Sequence, residues 1–222
     1  MQTVSDKSIE DIANLAKIPM TLEQDTKRVE IIMLKFKEEP DIIDEAITRI
    51  IHNTQYPFKL TIYDNRLNTA NTSRIWNKLI KESTCEYVCI IDSDAYVPNL
   101  EPCWLTRMME SITETGIVIP VSDSDGGAHQ KVQKATEGTY LNRDIWSGYC
   151  FLVDKLIFDH YGYFDERFLI YGQDSEFAHR TKGAVMRKDV LVRHIGGASF
   201  KKDPLREADK VYARLLFKKL TT

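Results

Sequence analysis

Two kinds of apolar run alternate along the first hundred residues. Val29-Glu-Ile-Ile-Met-Leu-Lys-Phe36 is apolar enough for a strand buried on both faces. After Pro40, the residues Ile42, Ile43, Ala46, Ile47, Ile50 and Ile51 recur at helical spacing, and Asp41 and Asp44 sit in the first turn, where a helix favours negative charge. Lys59-Leu-Thr-Ile-Tyr63 predicts a second strand that ends at Asp64-Asn65, and Ser73 to Lys81 predicts a second helix. Glu86-Tyr-Val-Cys-Ile-Ile91 predicts a third strand, which ends at Asp92-Ser93-Asp94. Strand and helix alternating at this pitch imply βαβ units and a parallel sheet.

The second half is less regular. A helix is expected around Trp104–Thr113, then strands at Gly116–Pro120 and Ser147–Val153, a short helix over Asp174–Lys182, a strand at Val190–Val192 and a helix over Leu205–Leu220. Between them, residues 122–144 are polar and include Ser124-Asp125-Gly126-Gly127. A polar stretch of that length inside a compact domain points to a functional loop, with a lid that includes Trp146 and a solvated connector as the alternatives. Residues 1–28 read as an extension, in which Ile9, Ile12, Ala13 and Ala16 keep helical spacing up to Pro19. The expected plan is an extension over 1–28, an α/β domain over 29–200 and a C-terminal helix over 201–222.

Composition narrows the class. With 222 residues the chain suits one α/β domain with a full core. A net charge of −3 provides no global electrostatic case for nucleic acid. Met1 to Lys17 is polar and acidic, and apolar runs such as Tyr87–Ile91 fall far short of the roughly 18 residues that span a bilayer. The expectation is a soluble chain. Cys85, Cys89, Cys103 and Cys150 form no CxxC pair, which favours a reduced, cytoplasm-like compartment. Residues 201–222 carry seven Lys or Arg against three Asp or Glu, with Val211, Leu215 and Leu216 beside them. That helix either packs on the domain with its charges solvated or touches an anionic membrane surface.

Candidate chemistry collects at strand ends, since ligands of open α/β sheets bind beyond the carboxyl ends of the parallel strands. The third strand delivers Asp92 and Asp94 from an apolar support onto one loop. A nucleotide diphosphate needs a divalent cation, and carboxylate oxygens suit magnesium or manganese. Such an ion stabilises the charge that grows on a departing diphosphate. The plain alternative is that Asp-x-Asp only opens a turn.

These pieces, in this order, resemble the family 2 glycosyltransferases and their nucleotide-sugar-binding GT-A fold, from about residue 29 to 200. Asp64-Asn65 is similar to the family's strand-end acidic residue that contacts the base, and Asn77 to the asparagine of its donor-side helix. Cys-Ile-Ile-Asp92-Ser93-Asp94 resembles its D-x-D strand, and Trp146-Ser147-Gly148 the segment beneath the donor and acceptor sugars. The most specific stretch is Gly162-Tyr-Phe-Asp165-Glu166-Arg-Phe168 followed by Tyr171-Gly-Gln-Asp174-Ser-Glu-Phe177-Ala-His-Arg180. Val192-Arg-His194-Ile-Gly-Gly197-Ala-Ser199 resembles the segment that brings a further metal or diphosphate ligand in many members. Where many members carry Glu-Asp, this chain has Gln173-Asp174.

The resemblance implies a mostly parallel GT-A sheet flanked by helices, and an inverting transfer of a sugar from a UDP-, GDP- or dTDP-sugar to a glycan or lipid-linked hydroxyl. It implies Mn2+ or Mg2+ held by Asp94 with Asp92 and His194. Asp64, Asn65, Asn77, Asp92, Ser93, Ser147 and Gly148 fall on the donor side, and Trp146, Asp165 and Glu166 on the acceptor side. Asp174 falls to the general base, at a helix start whose dipole keeps it ionised. Asp174 as a simple cap and His194 as a core histidine are the alternatives. The implied location is the cytoplasm, with a peripheral place at the inner membrane face if the acceptor is lipid-linked. Two other functions compete. A sugar nucleotidyltransferase is expected to carry a glycine-rich loop after the first strand, but Lys35-Phe-Lys-Glu-Glu-Pro40 has no glycine. A decayed sugar-binding module takes its support from Gln173.

Overall fold

A computed structural model describes residues 29–36, 38–65, 71–123, 130–131, 140–141, 146–196 and 204–221. The expected extension over 1–28, most of the polar loop 122–144, and Gly197 and Ser199 lie outside the described residues.

A seven-stranded sheet forms the frame. Its strands are β1 (Val29–Lys35), β2 (Phe58–Asp64), β3 (Tyr87–Asp92), β5 (Ile117–Val121), β6 (Tyr140–Leu141), β7 (Cys150–Asp154) and β8 (Ala184–Leu191), in the order β2-β1-β3-β7-β5-β8-β6. β1 runs parallel to both β2 and β3, and β5 parallel to β8, while β7 is antiparallel to β3 and β5, and β6 to β8. Five strands therefore point one way and two the other, so the sheet is mostly parallel. Two short strands, β4 (Ala95–Tyr96) and β9 (Arg193–His194), pair antiparallel outside it.

The continuous apolar runs follow from burial on both faces of the sheet. In β1, Val29, Ile31 and Met33 face one core, and Ile32 and Leu34 the other. The first core takes Ile43, Ala46, Ile47 and Ile50 from α1 (Pro40–Asn53) and Trp104, Leu105 and Met108 from α3 (Trp104–Glu110). The second takes Trp76, Leu79 and Ile80 from α2 (Thr72–Glu82), Phe158 from α5 (Lys155–Tyr161) and Phe177 from α6 (Gln173–Thr181). Between α3 and β5 the expected single helix breaks at Ser111, and α4 (Ile112–Thr115) follows. The last element is α7 (Pro204–Thr221).

Several elements differ from the sequence pattern. α5 was hidden in a short mixed stretch, yet the Asp154 side chain caps it by accepting from Leu156 N–H at 2.9 Å. β8 begins six residues earlier than the expected Val190, because the charged run Arg187-Lys188-Asp189 interrupts its apolar alternation. None of the four cysteines forms a disulfide; Cys89, Cys103 and Cys150 are buried. Among the described residues no helix is long and apolar enough to cross a membrane.

Ile91 is fully buried in β3, one residue before the site described below. Ile91→Ala should destabilise the chain by about 2–5 kcal/mol in urea melts; a loss under about 1 kcal/mol would mean that β3 is not core.

Candidate active site

Parallel strands β1 and β3 end together, Leu34 opposite Asp92, and a cavity of about 380 Å3 opens beyond them. Asp92, Asp94, Ser147, Gly148, Asp174 and His194 all line it. Asp92 is the last residue of β3, and the turn through Ser93 and Asp94 leads into β4. β4 pairs Ala95 with His194 of β9, so residues a hundred apart in sequence meet in one small ladder. His194 Nε2 stands 3.1 Å from Asp94 Oδ1 and 3.7 Å from Asp92 Oδ2. One ligand atom from each of the three lies within 4.8 Å of the others. Two carboxylates and an imidazole form a hard donor set that fits a divalent ion such as manganese or magnesium.

The trio is held from behind. The Tyr149 ring stacks on His194, with centroids 5.0 Å apart and planes 14° from parallel, and its hydroxyl donates to Pro120 O at 2.9 Å. Asp92 N–H donates to Tyr149 O at 2.8 Å, which ties β3 to the same residue. Gly196 N–H donates to Asp94 Oδ2 at 3.1 Å from a backbone φ of +65°, a conformation suited to glycine. Gly196 thus brings the backbone up against Asp94.

Asp92 sits among like charges. Its carboxyl is pushed up to about 7, chiefly by burial, with His194 opposing and Asp94, Glu38 and Asp174 adding to the rise. Its side chain keeps 44% of its surface accessible, so solvent screens part of that rise. Glu38 is a residue that the motif reading passed over. It follows β1, lines the cavity, and through Oε2 accepts from Phe36 N–H at 3.0 Å and from the Ser93 hydroxyl at 2.9 Å. The signal was present in the acidic Glu38-Glu39 at a strand end, read there only for its lack of glycine.

Asp174, the second residue of α6, is clamped by two amides. Gly148 N–H donates to Oδ2 and Ser175 N–H to Oδ1, each at 2.8 Å. Burial nevertheless outweighs these bonds and raises the Asp174 carboxyl above its ordinary value. The helix start, expected to keep it ionised, is the weaker influence here. Gly148 is needed for the approach: a Cβ there would stand 2.9 Å from Asp174 Cβ and 3.3 Å from Oδ2. Gln173 lines the same cavity, and its Oε1 is buried with no hydrogen-bond partner among the described residues.

Other candidates fall elsewhere. Asp64 is exposed at the end of β2, and Asn65 is fully buried beside it, its side-chain amide unpartnered among the described residues. Asn77 does not line the cavity. It brackets Phe164, donating to its carbonyl at 2.8 Å and accepting from its N–H at 3.0 Å, and Glu166 joins the clamp through Arg74 at 3.1 Å. Asp165 pairs with Arg167, which lowers its carboxyl, and Trp146 is buried against Phe151 and Phe177. Neither Asp165, Glu166 nor Trp146 lines the cavity. Arg180 also turns to structural work, pairing with Glu176 and donating to Tyr161, Gly162 and Tyr163 carbonyls.

No family model matches the chain. Among solved structures, it superposes on GalNAc-T7 crystallised with UDP, GalNAc and Mn2+, with a TM-score of 0.58 at 9% identity, over 78% of this chain and 44% of that one. It superposes on S. aureus TarS with a TM-score of 0.53 at 13% identity, over 75% and 36% of the two chains. A shorter TarS fragment, 1–349, gives 0.55 at 14% identity over 78% and 62%. The fold is GT-A. In sequence, the chain is 20% identical over 232 residues to the O-antigen biosynthesis protein RfbC of Myxococcus xanthus, covering 80% of this chain. It spans only 18% of that protein's length.

Two measurements test this site without any substrate. The Gly148→Ala variant overpacks against Asp174 and should lose about 1–3 kcal/mol of stability; a neutral substitution would mean that Asp174 stands elsewhere. For Asp92 the sign runs through linkage. A carboxyl raised in the folded state lowers stability as pH climbs from its ordinary 3.8, and the loss is complete above about 7. Asp92→Asn should therefore raise the metal-free melting temperature, more at pH 8 than at pH 5. An equal or smaller gain at pH 8 would contradict the strained carboxylate.

Proposed function

We propose that this chain is a metal-dependent, inverting glycosyltransferase of the family 2 kind, which moves a sugar from a nucleotide-sugar donor to a hydroxyl acceptor. One arrangement carries the reading: Asp92, Asp94 and His194 share one cavity with Asp174, at the carboxyl ends of a GT-A sheet. The GalNAc-T7 structure holding UDP and Mn2+ and the sequence likeness to an O-antigen biosynthesis protein agree with it.

Asp92, Asp94 and His194 would hold manganese or magnesium. Such an ion supplies positive charge against the diphosphate that leaves. Ser147 and Gly148 line the cavity and would border the donor, while Asp64 and Asn65, at the end of β2, take the nucleoside side. Asp174 would accept the proton of the acceptor hydroxyl as its oxygen attacks the anomeric carbon; the bond to the diphosphate breaks with its electron pair going to the diphosphate. That displacement inverts the anomeric centre. Both Asp174 oxygens already accept one N–H, but each keeps a lone pair for a proton. The raised carboxyl also suits a base working near neutral pH. The acceptor is proposed to be a glycan or lipid-linked hydroxyl met in the cytoplasm.

Thermal shift with UDP-, GDP-, dTDP- and CMP-sugars, with and without manganese, tests the donor site. A ligand at a hundred times its Kd stabilises by about 2.7 kcal/mol. The expected result is a manganese-dependent rise with one nucleotide class, lost in Asp94→Ala. In Asp174→Asn the rise should persist while turnover falls by about 10²-fold or more. No rise with any donor, or full turnover in Asp174→Asn, would overturn the reading.

A further inference from the structure

The loop that carries Asp174 into the cavity is fastened to the last helix of the chain. Tyr171, Gly172 and Gln173 line the cavity immediately before Asp174. On their other side, the Asp209 carboxylate of α7 accepts from Ile170 N–H at 3.2 Å and from Tyr171 N–H at 3.1 Å, both through Oδ2. Asp209 is only 8% exposed, and its Oδ1 is buried with no partner among the described residues. Burial pushes this carboxyl up, and the two amide bonds oppose it. A half-satisfied buried carboxylate on a surface helix is an expensive way to pack an element, and stability alone does not call for it.

The surrounding contacts converge on the same loop. Gly172 has φ +84° and caps α6; a Cβ there would stand 3.0 Å from the Phe168 ring and 3.2 Å from Ala213 Cβ of α7. Lys210 lies over the Tyr171 ring at 5.3 Å, and Phe217 meets His179 edge-on at 5.8 Å. α7 thus presses on the loop from Tyr171 to Gly172 and on α6, which carries Asp174. The outer face of α7, with Val211, Tyr212 and Leu215, is exposed and takes no part in these contacts.

We propose that Asp209 is a positioning residue: by holding the Ile170 and Tyr171 amides it sets the entry to α6, and so fixes the Asp174 carboxylate against Gly148. The turnover part of this inference rests on the reading of Asp174 as proton acceptor; the positional part does not. Because both bonds go to one oxygen, Asn at 209 keeps the acceptor and Ala removes it. Hydrogen exchange at single backbone amides reads the position directly. In Asp209→Ala, exchange should quicken about tenfold or more at Ile170 and Tyr171 and also at Gly148, whose amide reports where Asp174 stands. Asp209→Asn should restore protection at all three, and Leu215→Ser on the outer face should change none.

Faster exchange at Ile170 and Tyr171 with Gly148 unchanged would overturn the proposal, since α7 would then only staple its own contact. If Asp209→Ala does not fold, Asp209→Glu moves the acceptor by one methylene and is held to the same Gly148 readout. In the transfer assay, Asp209→Ala should lower kcat by about 10²-fold with the donor KM unchanged, and Asp209→Asn should recover most of it. An equal loss of donor binding and turnover would also overturn it, as a general structural effect. Full turnover in Asp174→Asn together with lost Gly148 protection in Asp209→Ala would refute the proposed base and leave the positioning role standing.

Discussion

Four carboxylates around one cavity constrain everything near it. Burial lifts the Asp92 carboxyl to about 7, His194 opposes the rise, and Asp94, Glu38 and Asp174 add to it. A cluster of that kind folds only if something else holds each member, because mutual repulsion and burial both oppose it. The chain uses backbone amides and one imidazole. Gly196 N–H goes to Asp94, Phe36 N–H to Glu38, Gly148 and Ser175 N–H to Asp174, and His194 lies between Asp94 and Asp92. Asp92, Asp94 and His194 keep ligand atoms within 4.8 Å of one another at the cavity, a group that could hold a cation.

That solution dictates local backbone. At Gly148 the approach to Asp174 leaves no room for a side chain, since a Cβ would stand 2.9 Å from Asp174 Cβ, and Gly196 reaches Asp94 from a backbone φ of +65°. It also explains the antiparallel insertion of β7. By running back between β3 and β5, β7 follows directly from Ser147-Gly148-Tyr149, so that this segment lies next to the end of β3. Tyr149 then serves both sides, bonding Asp92 N–H through its carbonyl and stacking on His194 through its ring.

The sheet was legible for a simple reason. β1 and β3 are buried on both faces, so their runs are apolar apart from Glu30 and Lys35 of β1, and Asp92 marks the point where β3 leaves the core. α1 and α2 carry apolar stripes wide enough to read directly. β8 and α5 were shortened or missed because Lys188, Asp189 and Leu191 of β8 are exposed and α5 buries little beyond Phe158. The acidic and asparagine motifs were equally visible as residues, but not all as site residues. Asn77 and Glu166 stand out in sequence, and here they hold a loop: Asn77 donates to the Phe164 carbonyl and to Glu166 and accepts from Phe164 N–H, and neither residue lines the cavity.

The sequence by itself determined the sheet-and-helix framework and the delivery of acidic residues to the strand ends, because both follow from local periodicity and burial. It also named Asp92, Asp94, Asp174 and His194. The tertiary structure decided which of the named residues share a cavity. It brought His194 to Asp94 through a two-residue ladder spanning a hundred positions, joined Glu38 to Ser93, and set Asp209 of the last helix behind the loop of Asp174. Those pairings depend on register and on the close approach of distant segments. Neither leaves a periodic trace along the chain.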